Sequence, residues 1–325
     1  MNELAVAIAA VFMKFFSLFH WVPLGSALLL ATLCWFMQDK GRREGLISYL
    51  FPKSVWLHRS ALLDYRFVLF DKLVIALLIG IGGWLLTGSG TAAEAGQSIS
   101  QDLANAPLTI IIAYTVTLLT VEDFARYWAH RFMHTIPLFW QFHKVHHSPE
   151  VLVPFSQMRS HPVNGLVNVI RSVVAIGSVT GLFLLIFPGS LSALTILGVN
   201  AGRFLFDVMG SNLRHSHIWL SFGPTLSHIF ISPAQHQIHH SKDKKHFNHN
   251  YGSQFAIWDW MFGTLYIPRR HEQLTLGIDA ASTDRMRTVK GLYLEPFKDA
   301  ARLLRRSREN KRMAIESRAG SKAVR

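Results

Sequence analysis

Cysteine is almost missing from the 325-residue chain: Cys34 is the only one. No intrachain disulfide can form, and thiolate metal sites and thiolate-ligated haem are excluded. Charge is also scarce. Asp, Glu, Lys and Arg make up 16% of the residues, against roughly 25% in soluble domains. Acidic residues are the rarer kind, 20 against 33 basic ones. This shortfall, together with long apolar runs, points to an integral membrane protein. The net charge of +13 does not imply nucleic acid, because no binding motif is present and aromatic residues are not interleaved with the basic tail. Neither HExxH nor GxSxG occurs. Gly80, Gly82 and Gly83 lie in an apolar run that no strand precedes, so they suit close packing of membrane helices better than a nucleotide loop.

The apolar runs suggest an order along the chain. Residues 1–66 hold an N-terminal membrane segment, spanning once or twice, and a basic loop at 38–66 with six Lys and Arg. No Lys or Arg precedes that first run, which therefore reads as retained rather than cleaved. Residues 67–209 read as a four-span core: 67–87, a span beginning near Pro107, and a hairpin of 163–187 and 191–209 turned at Pro188-Gly189. Residues 210–295 form a cap, and 296–325 a basic tail suited to anionic lipid or to solvent. Basic segments favour the cytoplasm, which puts 38–66 and the tail inside and the acidic loop 88–106 outside. The fold expected is all-α, a multipass transmembrane bundle with a cytoplasmic, histidine-rich di-metal cap.

Histidine is abundant. Fourteen of the seventeen fall between His130 and His249. Eight form three spaced clusters: His130 with His134; His143, His146 and His147; and His236, His239 and His240. Positions i, i+3 and i+4 share a helix face, so each cluster points its imidazoles one way. Eight imidazoles exceed what one ion needs, and the arithmetic indicates two metals. A nitrogen shell around two redox-active irons, Fe2+/Fe3+, would leave positions for dioxygen. A membrane zinc hydrolase and a histidine-rich metal transporter are the alternatives; the first would need a base such as the Glu of HExxH, the second ligands at mid-span. Rings that bind metal also need outer acceptors, for which Glu122, Asp123, Asp207, Asn250 and Asp259 are candidates. His161 and His217 are candidates for lining the site or for further ligation.

The chain resembles the fatty acid hydroxylase/sterol desaturase superfamily of membrane di-iron oxygenases. The resemblance rests on Asp123-x-x-x-Tyr127-x-x-His130-Arg131-x-x-His134, His143-x-x-His146-His147-Ser148 and Arg159-x-His161-Pro162. It continues through His215-Ser216-His217, Pro233-x-x-His236-x-x-His239-His240-Ser241, Asn250-Tyr251-Gly252 and Trp258-Asp259-x-x-Phe262-Gly263-Thr264. It implies that the eight clustered histidines and His215 ligate two iron ions, with Asn in many relatives where this chain has His217. It further implies oxidation of a lipid C–H bond by O2 to an alcohol or a double bond, with the metal site on the cytoplasmic side. Electrons would come from a separate ferredoxin- or cytochrome b5-type donor and its reductase.

Overall fold

A computed structural model describes residues 18–37, 45–87, 107–188 and 206–323. Among these the regular structure is helical, and strand pairing is limited to two isolated bridges. The long helices are α1 (Leu18–Phe36), α2 (Arg59–Thr87), α3 (Leu108–Thr135), α4 (Pro137–His147) and α5 (Pro162–Ile186). In the cap, α6 (Pro233–His239) and α7 (Ile257–Met261) are short, and α8 (Val289–Ala323) is long. The expected loop 88–106 and the second limb of the hairpin, as far as residue 205, lie outside the described residues.

Three helices near the centre begin by one device. The residue before a proline is pushed into extended backbone, while proline itself is suited to the first helical turn. Ile136 (ψ 114°) precedes Pro137, His161 (ψ 142°) precedes Pro162, and Ser232 (ψ 158°) precedes Pro233. At Ile136 this ends α3 and starts α4 at once, turning the chain sharply below the first histidine pair. At Ser232 the start is strengthened by a capping box, in which the Ser232 and Gln235 side chains satisfy each other's backbone N–H groups.

Helices α3 and α5 have the length and apolarity to cross a membrane. Only 17% of each apolar window is buried, which distinguishes them from the core helices of a soluble protein. Leu166, Val169, Val173 and Leu185 on α5 and Ile112 and Val116 on α3 are exposed, an arrangement that suits lipid and not water. The two helices pack through Tyr114, Leu118, Val179 and Phe183, and the Tyr114 and Thr180 hydroxyls hydrogen-bond at 2.9 Å. Glu122 on α3 pairs with Arg171 on α5.

Below them a second cluster joins α2, α4 and α8 through Leu63, Phe67, Val145, Met286 and Leu292. Two buried ion pairs fasten the same region. Lys144 on α4 meets Asp299 on α8. Arg159 meets Asp64 on α2, and its guanidinium also donates to the Ser60 carbonyl and the Ser148 hydroxyl.

Candidate metal centre

The nine histidines expected as ligands converge, and they do so in two groups. His130 and His134 from α3, His143 and His147 from α4 and His239 from α6 form the first. His146 from α4, His215 from the loop after Ser211–Leu213 and His236 and His240 from α6 form the second. Within each group the candidate ligand atoms lie within 4.8 Å of one another. Helical periodicity explains the division. On α4, positions 143 and 147 share one stripe while 146 faces the neighbouring stripe, and on α6 positions 236 and 240 share a stripe apart from 239. The groups adjoin, with the His147 and His240 rings stacked at 4.5 Å between centroids.

Several rings are oriented from outside by acceptors. Nδ1–H of His130 donates to the Tyr251 carbonyl at 2.8 Å, that of His239 to the His249 carbonyl at 2.8 Å, and that of His146 to the Arg159 carbonyl at 3.3 Å. A carbonyl oxygen can only accept, so the proton sits on Nδ1 and the Nε2 lone pair faces inward. His143 Nδ1 meets the Asn164 Oδ1 at 3.1 Å, and the Asn164 amide is fixed in turn by donating to Ser160. Burial disfavours the imidazolium: His146 is pushed down to about 4, and His143, His147, His215, His236, His239 and His240 well below the usual value. All are neutral at pH 7, the form a metal requires.

The inward atoms fit metal ions. Buried Nε2 atoms of His134, His143, His147 and His239 have no hydrogen-bond partner, a costly condition for polar atoms unless something else binds them. In the second group, the Nε2 atoms of His215, His236 and His240 form a triangle with edges of 3.1, 3.2 and 3.3 Å, and the His146 Nε2 is 3.3 Å from that of His215. His215 Nε2 touches three nitrogens and could donate one proton at most, so hydrogen bonding cannot satisfy the cluster. Nitrogens gathered this closely are a donor set, and His215, His236 and His240 would hold a metal ion between them, with His146 beside them. Among the described residues neither group includes a carboxylate.

The other expected residues are placed elsewhere. Asp123 accepts from the Gln254 and Phe255 backbone N–H groups and from the Trp258 indole. Asp259 accepts from the Tyr251 and Gly252 N–H groups and from the Thr264 hydroxyl, and burial pushes its carboxyl up to about 6. These two acids fold the segment whose Tyr251 carbonyl orients His130, so they reach the rings through backbone. Asn250, at φ 57°, bridges the Gln235 and Tyr266 carbonyls. A side chain at Gly252 would put its Cβ 2.5 Å from the Phe255 carbonyl oxygen, so only glycine fits there. His161 and His217 lie outside both groups: His161 caps α5 and bonds the Tyr293 carbonyl, and His217 bonds the Tyr49 carbonyl. Glu122 and Asp207 are tied to Arg171 and Ser211. Sequence reasoning missed Asn164, whose one signal is an amide in the first turn of an otherwise apolar span.

Two cavities reach the histidines. One of about 320 Å³ touches His134, His147, His239 and His240 beside Trp140 and Lys144. The other, of about 350 Å³, touches His130, His143, His146, His215 and His236.

This arrangement defines a class: helical proteins with two adjoining all-imidazole groups, each able to hold a metal ion, set beside membrane-length helices. Residues 115–264, which contain all nine histidines, match the fatty acid hydroxylase family. Over 168 residues, 51% of this chain and 46% of the relative, the sequence is 32% identical to ornithine lipid hydroxylase OlsE of Rhizobium tropici. It is 31% identical to a Delta(7)-sterol-C5(6)-desaturase of Nicotiana tabacum, over 48% of this chain and 51% of that one. It is also 31% identical to alkylglycerol monooxygenase of Danio rerio, over 44% and 28%. The chain thus spans about half the length, or less, of these curated relatives. No solved structure matches. The matched region is thus similar to the fatty acid hydroxylase/sterol desaturase superfamily, and the relatives it matches are named as hydroxylases, desaturases and monooxygenases.

Proposed function

We propose that the protein is a membrane-bound di-iron oxygenase that hydroxylates or desaturates a C–H bond of a lipid. The observation that carries this reading is the pair of adjoining all-imidazole groups, nine converging rings with no carboxylate among the described residues. Nine imidazoles exceed the three ligands of a hydrolytic zinc. Ligands gathered beyond the exposed apolar stretches of α3 and α5, not midway along them, also argue against a transport path. Iron suits a nitrogen shell with positions left for O2.

When bound, two irons would supply the redox chemistry at oxygen, with the electrons drawn from a separate donor: R–H, O2, two electrons and two protons give R–OH and water. Desaturation would consume the same inputs and release two waters. The chain's own part is positioning. Asn164 and the Tyr251, His249 and Arg159 carbonyls hold the imidazoles as Nδ1–H tautomers. Asp123 and Asp259 fix the turn that brings the Tyr251 carbonyl to His130. Tyr127, Trp128 and Phe262 pack beside it and exclude water. With the basic segment 38–66 and the tail assigned to the cytoplasm, the metals would lie on that face, within reach of a separate ferredoxin- or cytochrome b5-type donor.

Elemental analysis of protein from iron-replete cells tests the metal, with about two irons per chain expected. Lipid mass spectrometry of cells with and without the gene tests the reaction; a +16 shift on one lipid class indicates hydroxylation and a −2 shift desaturation. One tightly held zinc, together with unchanged lipids, would refute the proposal.

A further inference from the structure

The larger cavity beside the histidines contains a charge that the reaction chemistry does not use. Arg214 is buried, with 8% of its surface exposed, and it immediately precedes His215. Among the described residues it has no carboxylate partner. Its guanidinium lies over the Phe206 ring at 4.6 Å and donates one long hydrogen bond, 3.4 Å, to the Ile231 carbonyl, while its Nε–H has no partner at all. A buried cation left in that condition is strongly unfavourable unless an anion completes it. The nearby acid Asp123 cannot do so, being committed to three donors of the 254–258 turn. Arg214 lines the cavity of about 350 Å³ that touches five of the nine histidines.

Asp207 lines the same cavity. It accepts a hydrogen bond from Ser211 at 2.7 Å and forms no ion pair among the described residues, so Arg214 and Asp207 attract each other across the chamber without meeting. Gln157, Ser160, Asn168 and Gln254 add polar groups to the lining. A sterol or a bare acyl chain would leave the Arg214 guanidinium and the Asp207 carboxylate desolvated with no ligand charge to meet them, which selects against such a ligand. Resting on the oxygenase reading above, we propose that Arg214 and Asp207 form a headgroup site for a zwitterionic lipid, with Arg214 holding its carboxylate or phosphate and Asp207 its ammonium. The headgroup, rather than the tail, then lies against the metal groups. The carbon oxidised belongs to the headgroup or to the linkage just beneath it.

The test is lipid binding to the iron-loaded, detergent-solubilised protein, read by native mass spectrometry with matched acyl chains on four probes. Ornithine lipid carries a carboxylate and an ammonium, phosphatidylethanolamine a phosphate and an ammonium, phosphatidic acid a phosphate alone, and diacylglycerol neither. At least one of the first two should bind about tenfold more tightly than diacylglycerol, the scale of a charge-assisted buried hydrogen bond; which of them does so identifies the anion. Arg214→Gln should erase that margin while the metal content, measured on the same sample, stays at its wild-type value, and Arg214→Lys should restore part of it. Should the neighbouring His215 be disturbed by Arg214→Gln, Asp207→Asn decides: it should weaken whichever zwitterion the wild type prefers towards the level of diacylglycerol and leave diacylglycerol unchanged. Diacylglycerol binding as tightly as the zwitterions overturns the proposal, as does a preference that survives both Arg214→Gln and Asp207→Asn. Because binding is read without turnover, an iron-free or inactive protein would count against the oxygenase reading and not against this site.

Discussion

Replacing Asn164 by leucine isolates one outer contact of the metal centre. Leucine has similar volume but cannot accept the hydrogen bond that His143 Nδ1–H makes to Oδ1 at 3.1 Å. His143 and Asn164 are both buried, so water cannot readily take over. A buried donor left unsatisfied costs about 1–3 kcal/mol. That cost falls on the Nδ1–H tautomer, the one that presents the Nε2 lone pair to the metal; moving the proton to Nε2 relieves it and disables the ligand. At about 1.4 kcal/mol per factor of ten, metal affinity of the first group should fall roughly 5- to 150-fold, in line with the usual cost of losing an outer acceptor. Competition with a graded series of chelators, followed by elemental analysis, measures this directly. Asn164→Asp, which keeps an acceptor, should retain wild-type affinity. If Asn164→Leu holds its metal as firmly as the wild type, the acceptor does not set the tautomer and the argument fails.

His143→Ala and His239→Ala should each abolish lipid oxidation and lower bound metal while membrane insertion persists, and retained activity in either would refute the ligand assignment. Asp64→Asn leaves the Arg159 guanidinium, 1% exposed, without its countercharge, which should destabilise the folded protein by about 3–5 kcal/mol. It should also loosen His146, which the Arg159 carbonyl orients; an unchanged thermal midpoint would argue against both effects. Lys144 and the nearby Arg302 and Arg285 hold the Asp299 carboxyl down at about 2. A depressed acid stabilises the folded state fully above its unfolded value of about 3.9 and loses that contribution as pH falls towards 2. Acid unfolding of the wild type should therefore steepen below about pH 4, whereas Asp299→Asn should be weaker at neutral pH and lack that component.

Much of the centre was legible because helical periodicity is a local property. The spacing of His143, His146 and His147 on α4, and of His236, His239 and His240 on α6, places their rings before any tertiary contact is known. The prolines at 137, 162 and 233 likewise announce where helices begin. The outer contacts were less accessible because backbone supplies most of them. The carbonyls of Arg159, His249 and Tyr251 are chemically the same as any others until the fold brings them to a ring. Asp123 and Asp259 read as acceptors for imidazole, but a buried carboxylate bonds whichever donors converge on it, and here these are N–H groups of the 251–255 segment. His161 and His217 have the right side chain in the wrong place, each saturated by a distant backbone carbonyl, of Tyr293 and Tyr49. Spacing separates positions 143 and 147 from 146, and 236 and 240 from 239, but which stripe of α4 joins which stripe of α6 was not legible, because it depends on how the two helices face each other.

Helices α4 and α6 each send side chains to both groups, so each acts as a rigid yoke across the centre. An ion bound on one side would restrain the helices that carry the nitrogens of the other, and uptake of a pair would be cooperative. The spacing of two such ions would be set mainly by helix geometry, with His215 the one donor supplied from a loop, and a substitution that displaces either yoke would disturb both groups.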